Sequence, residues 1–142
     1  MIVVDTGVLY AVVDRAEPAH EEITTFLAKN TAGLLTTPLV LAELDHLLAV
    51  RLGGAVRSRV MLRLAADGGI LLSPFDAETF AMAARVADDH ADMRLGLTDA
   101  SLMVAAARYG TTRLLTVDHK HFRALRPLRG GTAYTLLPAD AG

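Results

Sequence analysis

Short apolar runs alternate with longer segments of helical periodicity along this chain. Ile2-Val3-Val4 is an apolar run that stops on Asp5, as a short strand buried on both faces does. Residues 6–13 then place Val8, Leu9 and Val12 at helical spacing, which breaks near Asp14. Pro18 stands where proline opens a helix, and Glu21, Glu22, Ile23, Phe26 and Leu27 carry it towards Asn30. Residues 34–37 read as a second strand, and Pro38 starts a helix to about Leu52 that Gly53-Gly54 stops. The pattern next predicts a helix over 55–66, a strand over 70–72, and a helix capped by Asp76 that runs to about His90. An alanine-rich helix begins at Thr98 or Asp99 and runs to Tyr109, with Gly110 as its stop. Residues 113–117 form the next strand, ending on Asp118, and residues 134–137 form the last.

Apolar strands of this length between helices predict an α/β fold with a mostly parallel central sheet. The 142 residues suit a single domain over 1–142, with no internal repeat, linker or low-complexity segment. Hydrophobic residues make up 52% and mean hydropathy is +0.35, a surplus that suggests a face covered by an oligomer or partner. No stretch approaches a membrane span or a secretory signal, and the absence of cysteine removes disulfides and thiolate metal sites. A cytoplasmic location is the expectation. Net charge is only −2, but the positive charge is clustered. Arg51, Arg57, Arg59 and Arg63 fall in one acid-free stretch, and His119, Lys120, His121, Arg123, Arg126 and Arg129 in another. Each is either a solvated face or a surface for phosphate.

Four acids stand in surroundings that invite a common explanation. Asp5 and Asp118 each follow an apolar strand, so both should emerge at the carboxyl edge of a parallel sheet, where ligands bind. Asp99 falls at a helix start along the same edge, where a capping role would also explain it; Asp118 too could cap the short turn that follows. Glu43 reads as part of a buried stripe with Leu39, Val40, Leu44, Leu47 and Leu48, where a carboxylate needs an arginine partner or a cation. Carboxylates gathered this closely repel, and a hard divalent cation relieves the repulsion. Oxygen-only ligands select Mg²⁺ or Mn²⁺, a combination suited to phosphodiester hydrolysis. No Gly-x-x-x-x-Gly-Lys or Gly-x-Gly-x-x-Gly loop supports nucleotide hydrolysis or dinucleotide binding.

Four segments resemble the PIN-domain ribonucleases, in particular the VapC-type toxins of bacterial type II toxin–antitoxin pairs. They are Val3-Val4-Asp5-Thr6-Gly7 with Leu9, Pro38-x-x-x-x-Glu43-Leu44, Leu95-Gly96-Leu97-Thr98-Asp99-Ala100, and Leu115-Thr116-Val117-Asp118-x-x-x-Phe122. They occur in the family order across almost the whole chain. The resemblance implies a three-layer α/β/α sandwich and a Mg²⁺- or Mn²⁺-dependent endoribonuclease with catalytic Asp5, Glu43, Asp99 and Asp118. Asp5 and Asp99 would be the direct metal ligands, with Glu43 and Asp118 acting through water or completing a second ion. Thr6 and Thr98 would be hydroxyl supports. It further implies an RNA substrate such as tRNA or ribosomal RNA, a homodimer, and a VapB-like antitoxin. The antitoxin would lie in an apolar groove, which helices around 38–66 could supply, and present an arginine to the acids. Position 7 is glycine where serine is also common, so a hydroxyl contact there is absent.

Other candidates weigh less. His119 and His121 could touch RNA or donate protons, and Asp92 and Arg94 could frame the site or be solvated loop charges. Asp45 and His46 lie about 200° and 300° around the helix from Glu43 and so off its side. Tyr10 either stacks on a base or packs under the first helix. Two other functions remain open: a non-catalytic RNA- or protein-binding module with a retained acidic pocket, and aspartyl phosphoryl transfer as in haloacid dehalogenase-like phosphatases. The latter wants a second carboxylate at position 7, which is glycine.

Overall fold

A computed structural model describes residues 1–142. Its five strands are β1 (Ile2–Val4), β2 (Leu34–Thr36), β3 (Ile70–Leu72), β4 (Arg113–Leu115) and β5 (Thr135–Leu137). All four pairings are parallel, in the order β3-β2-β1-β4-β5. The helices are α1 (Thr6–Val13), α2 (His20–Lys29), α3 (Pro38–Leu52), α4 (Gly54–Asp67), α5 (Ala77–Asp89), α6 (Leu97–Arg108) and α7 (His119–Arg123), with a 3₁₀ turn at Ala91–Met93. The expected α/β sandwich is the observed fold. None of the helices is long and apolar enough to cross a membrane.

The core explains why β1 is uniformly apolar. It pairs with β2 on one side and β4 on the other, and Ile2, Val3 and Val4 are all buried. α6 is the helix most enclosed by protein, buried continuously from Ala100 to Ala106. Small alanines let it approach β1, β2, α3 and α5 closely. Each large core side chain contributes about 1.5–3 kcal/mol by leaving water. The apolar centre therefore holds the strand ends still.

Several boundaries differ from the sequence pattern. Pro18 does not open α2 but lies in the preceding turn, where the His20 amide donates to the Glu17 carbonyl, and the helix begins at His20. β4 stops at Leu115, because Thr116 and Val117 already turn towards α7. α6 starts at Leu97 with Gly96 as its cap, so Asp99 is the third helical residue rather than the first. Gly54 continues into α4 instead of separating two helices; Gly53, at φ 92°, makes the turn alone.

Candidate active site

Asp5, directly after β1, is fixed at both carboxylate oxygens. Oδ1 accepts the Thr6 amide at 2.7 Å and so caps α1, while Oδ2 accepts the Thr116 hydroxyl at 3.0 Å. The residue is only 9% exposed. Burial raises its pKa from the usual 3.8 to about 6, with the charges of Asp99 and Glu43 pushing the same way and the Thr6 and Thr116 hydrogen bonds opposing them. A buried acid held in one orientation and repelled by two others is prepared for a positive charge.

Asp99 enters from the first turn of α6. Burial raises its pKa, and the charges of Glu43 and Asp118 add to that; His121 works against it. His121 Nε2 lies 3.2 Å from Asp99 Oδ2. The imidazole nitrogen is close enough to pair electrostatically, but it is not aligned for a hydrogen bond and is buried without one. Capping does not explain Asp99, since Gly96 is the N-cap and no side chain caps that end.

Glu43 is a correction to the sequence reading. Only Val40, Leu44 and Leu48 of α3 are fully buried, while Glu43 itself is exposed. A helical stripe is narrower than the run of leucines suggests, and Glu43 lies on its margin with neither an ion pair nor a side-chain hydrogen bond. Its charge still reaches both Asp5 and Asp99. Asp118 has the capping role the sequence allowed, since its Oδ1 accepts the His121 amide at 3.2 Å. Its charge also bears on Asp99. The four acids therefore form one electrostatic neighbourhood, drawn from residues next to β1, α3, α6 and β4.

No three Asp, Glu or His side chains converge into a coordination cluster. The acids interact at Coulombic range, with His121 against Asp99. The donor set nevertheless suits a hydrated hard cation. All the charged donors are oxygens, two carboxyls have raised pKa values, and the buried Thr6 hydroxyl has no protein partner.

Sequence reasoning gave Thr116 no role. Fully buried, it donates to Asp5 Oδ2 and accepts the Asp118 amide at 2.9 Å, so one hydroxyl ties two of the acids together. Its signal was a threonine at the end of an apolar strand, two residues before an acid. Thr116→Val should lower stability by about 1–3 kcal/mol and cut cleavage roughly 10- to 100-fold. Denaturant melts and RNA cleavage rates check this, and unchanged cleavage would remove Thr116 from the site. Ser101 was missed as well. It donates to the Thr98 carbonyl and meets the Thr37 hydroxyl at 2.8 Å, joining the start of α3 to the first turn of α6. Thr98 thus takes part through its carbonyl.

Gly7 has a steric reason. A Cβ there would lie 2.6 Å from Val117 Cγ2, beside the segment that leads to Asp118. Gly7→Ala should force the Val117 methyl to turn away. Since Val117 is half exposed and alanine favours the helix over glycine, the net loss should stay below about 1 kcal/mol and vanish with Val117→Ala in a melting experiment. Tyr10 is packed, donating to Asp14 Oδ2 at 2.7 Å under the Arg51 guanidinium. Asp45 pairs with Arg57 at 3.0 Å, and His46 is exposed.

The PIN domain family model matches residues 2–126. Ribonuclease VapC26 of Mycobacterium tuberculosis is 38% identical over 137 residues, covering 96% of this chain and 100% of that protein. The crystal structure of M. tuberculosis VapC20, described as a sarcin-ricin loop cleaving toxin, superposes with a TM-score of 0.80 at 17% identity, over 93% of this chain and 99% of that one. VapBC2 from Rickettsia felis, solved on a DNA fragment from its promoter, gives 0.57 at 19% identity, over 84% and 90%.

Proposed function

The chain belongs to the PIN-domain family and, within it, to the VapC-type ribonucleases, and on that premise we propose that it is a toxic endoribonuclease hydrolysing RNA phosphodiesters at its acidic sheet edge. The observation that carries this reading is Asp5, buried, held at both oxygens and opposed by neighbouring charges. Asp5 and Asp99 are the proposed direct ligands of Mg²⁺ or Mn²⁺; Glu43 and Asp118 would act through water or complete a second ion. When bound, such a cation would supply a more acidic attacking water and charge neutralisation at the phosphate oxygens. The chain's own groups divide the remaining work. The Thr6 amide and Thr116 hydroxyl keep Asp5 in one orientation. Glu43, exposed and free of protein partners, can orient water.

The proposed substrate is a structured RNA, tRNA or ribosomal RNA, in keeping with the description of VapC20. A VapB-like antitoxin is the partner, and its proposed seat is an apolar groove of about 400 Å³ between α3, α4 and the β2–β3 edge. Leu41, Met61, Leu64 and Leu72 line it, with Thr36 at the carboxyl end of β2. This is where helices around 38–66 were expected to offer one. Leu64→Glu should abolish antitoxin co-purification while leaving RNA cleavage intact; retained capture would move the partner elsewhere. We also propose a single domain over 1–142, supported by one core running from Ile2 to Leu137. A homodimer is in keeping with exposed Leu71, Phe80 and Met82, and a cytoplasmic location with the toxin role.

The direct test incubates the purified chain with tRNA and ribosomal RNA, with Mg²⁺ or Mn²⁺ and then with chelator. Cleavage that chelator stops is expected. Tight RNA binding without turnover on any substrate would favour the non-catalytic module instead. The phosphatase reading has no support, since the position its second carboxylate needs is Gly7, packed against Val117.

A further inference from the structure

We propose that Arg94 is a substrate-positioning residue that holds an RNA backbone phosphate beside the acids, an inference that rests on the ribonuclease reading of that site. Arg94 closes the 3₁₀ turn Ala91–Met93 in the left-handed region, at φ 54° and ψ 39°. It is the one non-glycine residue with positive φ; the other such positions are Gly53, Gly68, Gly110 and Gly130. A side chain in that region meets a steric cost that glycine does not incur. A chain that places glycine at four such turns keeps arginine at the fifth.

The backbone of the turn is closed by the Arg94 amide on the Ala91 carbonyl at 3.1 Å, a bond that glycine would make equally well, and the arginine side chain adds nothing within the protein. Arg94 is exposed and makes neither an ion pair nor a side-chain hydrogen bond. Arg51, Arg57, Arg63, Arg108 and Arg123 are engaged, with Glu17, Asp45, Asp67, Thr79 and Asp140 respectively; Arg15, Arg59, Arg85, Arg113, Arg126 and Arg129 are as free as Arg94, but none of them stands in a left-handed turn. The strained turn also has a particular address. It is followed by buried Leu95 and then by Gly96, the cap of α6, whose first turn carries Asp99. An RNA strand approaching four carboxylates meets repulsion, which a cation five residues along the chain from Asp99 would relieve locally. The planar guanidinium fork matches phosphate oxygens, and backbone strain retained at a functional edge is the pattern expected of such a contact.

The test measures binding of a fluorescein-labelled RNA stem-loop by anisotropy across a potassium chloride series, in an Asp5→Asn background that cannot cut the probe. Arg94→Gly should weaken binding roughly 10-fold and flatten the slope of log Kd against log salt by about one. Its melting temperature should hold or rise as the strain is relieved. Arg94→Lys should keep the slope and lose part of the affinity. Arg85→Ala, an equal charge change in the exposed middle of α5, should alter neither. A lower melting temperature with affinity and slope unchanged would show a purely structural residue and overturn the proposal. If the parent chain cleaves RNA with Mn²⁺ while Arg94→Gly binds as tightly as its background, the inference alone fails. If the parent neither binds nor cleaves RNA, the ribonuclease reading fails and this inference with it.

Discussion

Asp5→Asn is expected to make the metal-free protein more stable at pH 7.5 while removing its cleavage activity. Asparagine caps a helix about as well as aspartate, so the Thr6 amide keeps its acceptor and the buried charge disappears. The loss of Asp5 Oδ2 as acceptor for the Thr116 hydroxyl offsets about 1 kcal/mol of the gain. The sign of the effect follows from the raised pKa. Asp5 moves from the usual 3.8 to about 6 on folding, so the native state binds its proton more tightly than the unfolded chain. The stabilisation from that proton is complete below about 3.8 and is lost as pH rises through about 6, a difference of about 3 kcal/mol. Asp99, also raised, adds in the same direction. The parent in chelator should therefore be more stable near pH 5 than at pH 7.5, and Asp5→Asn should lose much of that dependence. At pH 7.5 the variant should gain about 1–3 kcal/mol, or roughly 3–10 °C in melting temperature. Cleavage should fall at least about 10³-fold. Thermal melts in chelator at both pH values, beside a gel assay, read both effects. A variant destabilised equally at both would make Asp5 chiefly a helix cap.

Addition of a divalent cation should reverse the order of stability. A ligand that binds only the folded state adds about 2.7 kcal/mol at a hundred times its Kd. Mn²⁺ or Mg²⁺ should thus raise the melting temperature of the parent at pH 7.5 by several degrees, overtaking Asp5→Asn, which should respond weakly. The shift should shrink towards pH 5, because protons compete for the buried Asp5 carboxyl. Glu43→Gln should retain more of the shift than Asp99→Asn, since Glu43 is exposed and Asp99 is partly buried at the centre of the charge cluster. Equal shifts in parent and Asp5→Asn would place the cation elsewhere.

Much of this was legible in the sequence because parallel sheets constrain it so strongly. Ile2-Val3-Val4, buried on both faces, could be little else than a central strand, and the edge rule then put Asp5 and Asp118 on the same side. What periodicity could not resolve was the margin of a helix. Leu39, Glu43 and Leu47 look like one stripe with Leu44, yet Glu43 is exposed because α3 buries only a narrow line. Supporting hydroxyls were harder still. Thr116 and Ser101 act through tertiary hydrogen bonds to residues far away in the chain, or through a backbone carbonyl, and composition carries no trace of such partners. The left-handed turn at Arg94 was also hidden, since arginine is not a residue that announces positive φ.

The central claim, that the four acids form one metal-dependent site for cutting RNA, is tested most directly by one paired assay. Parent and Asp99→Asn are incubated with the same tRNA and ribosomal RNA in Mn²⁺, and the RNA ends are sequenced. Discrete cuts by the parent that vanish in both Asp99→Asn and chelator are the predicted result. The same cuts at comparable rate from Asp99→Asn, or from the parent in chelator, would contradict it.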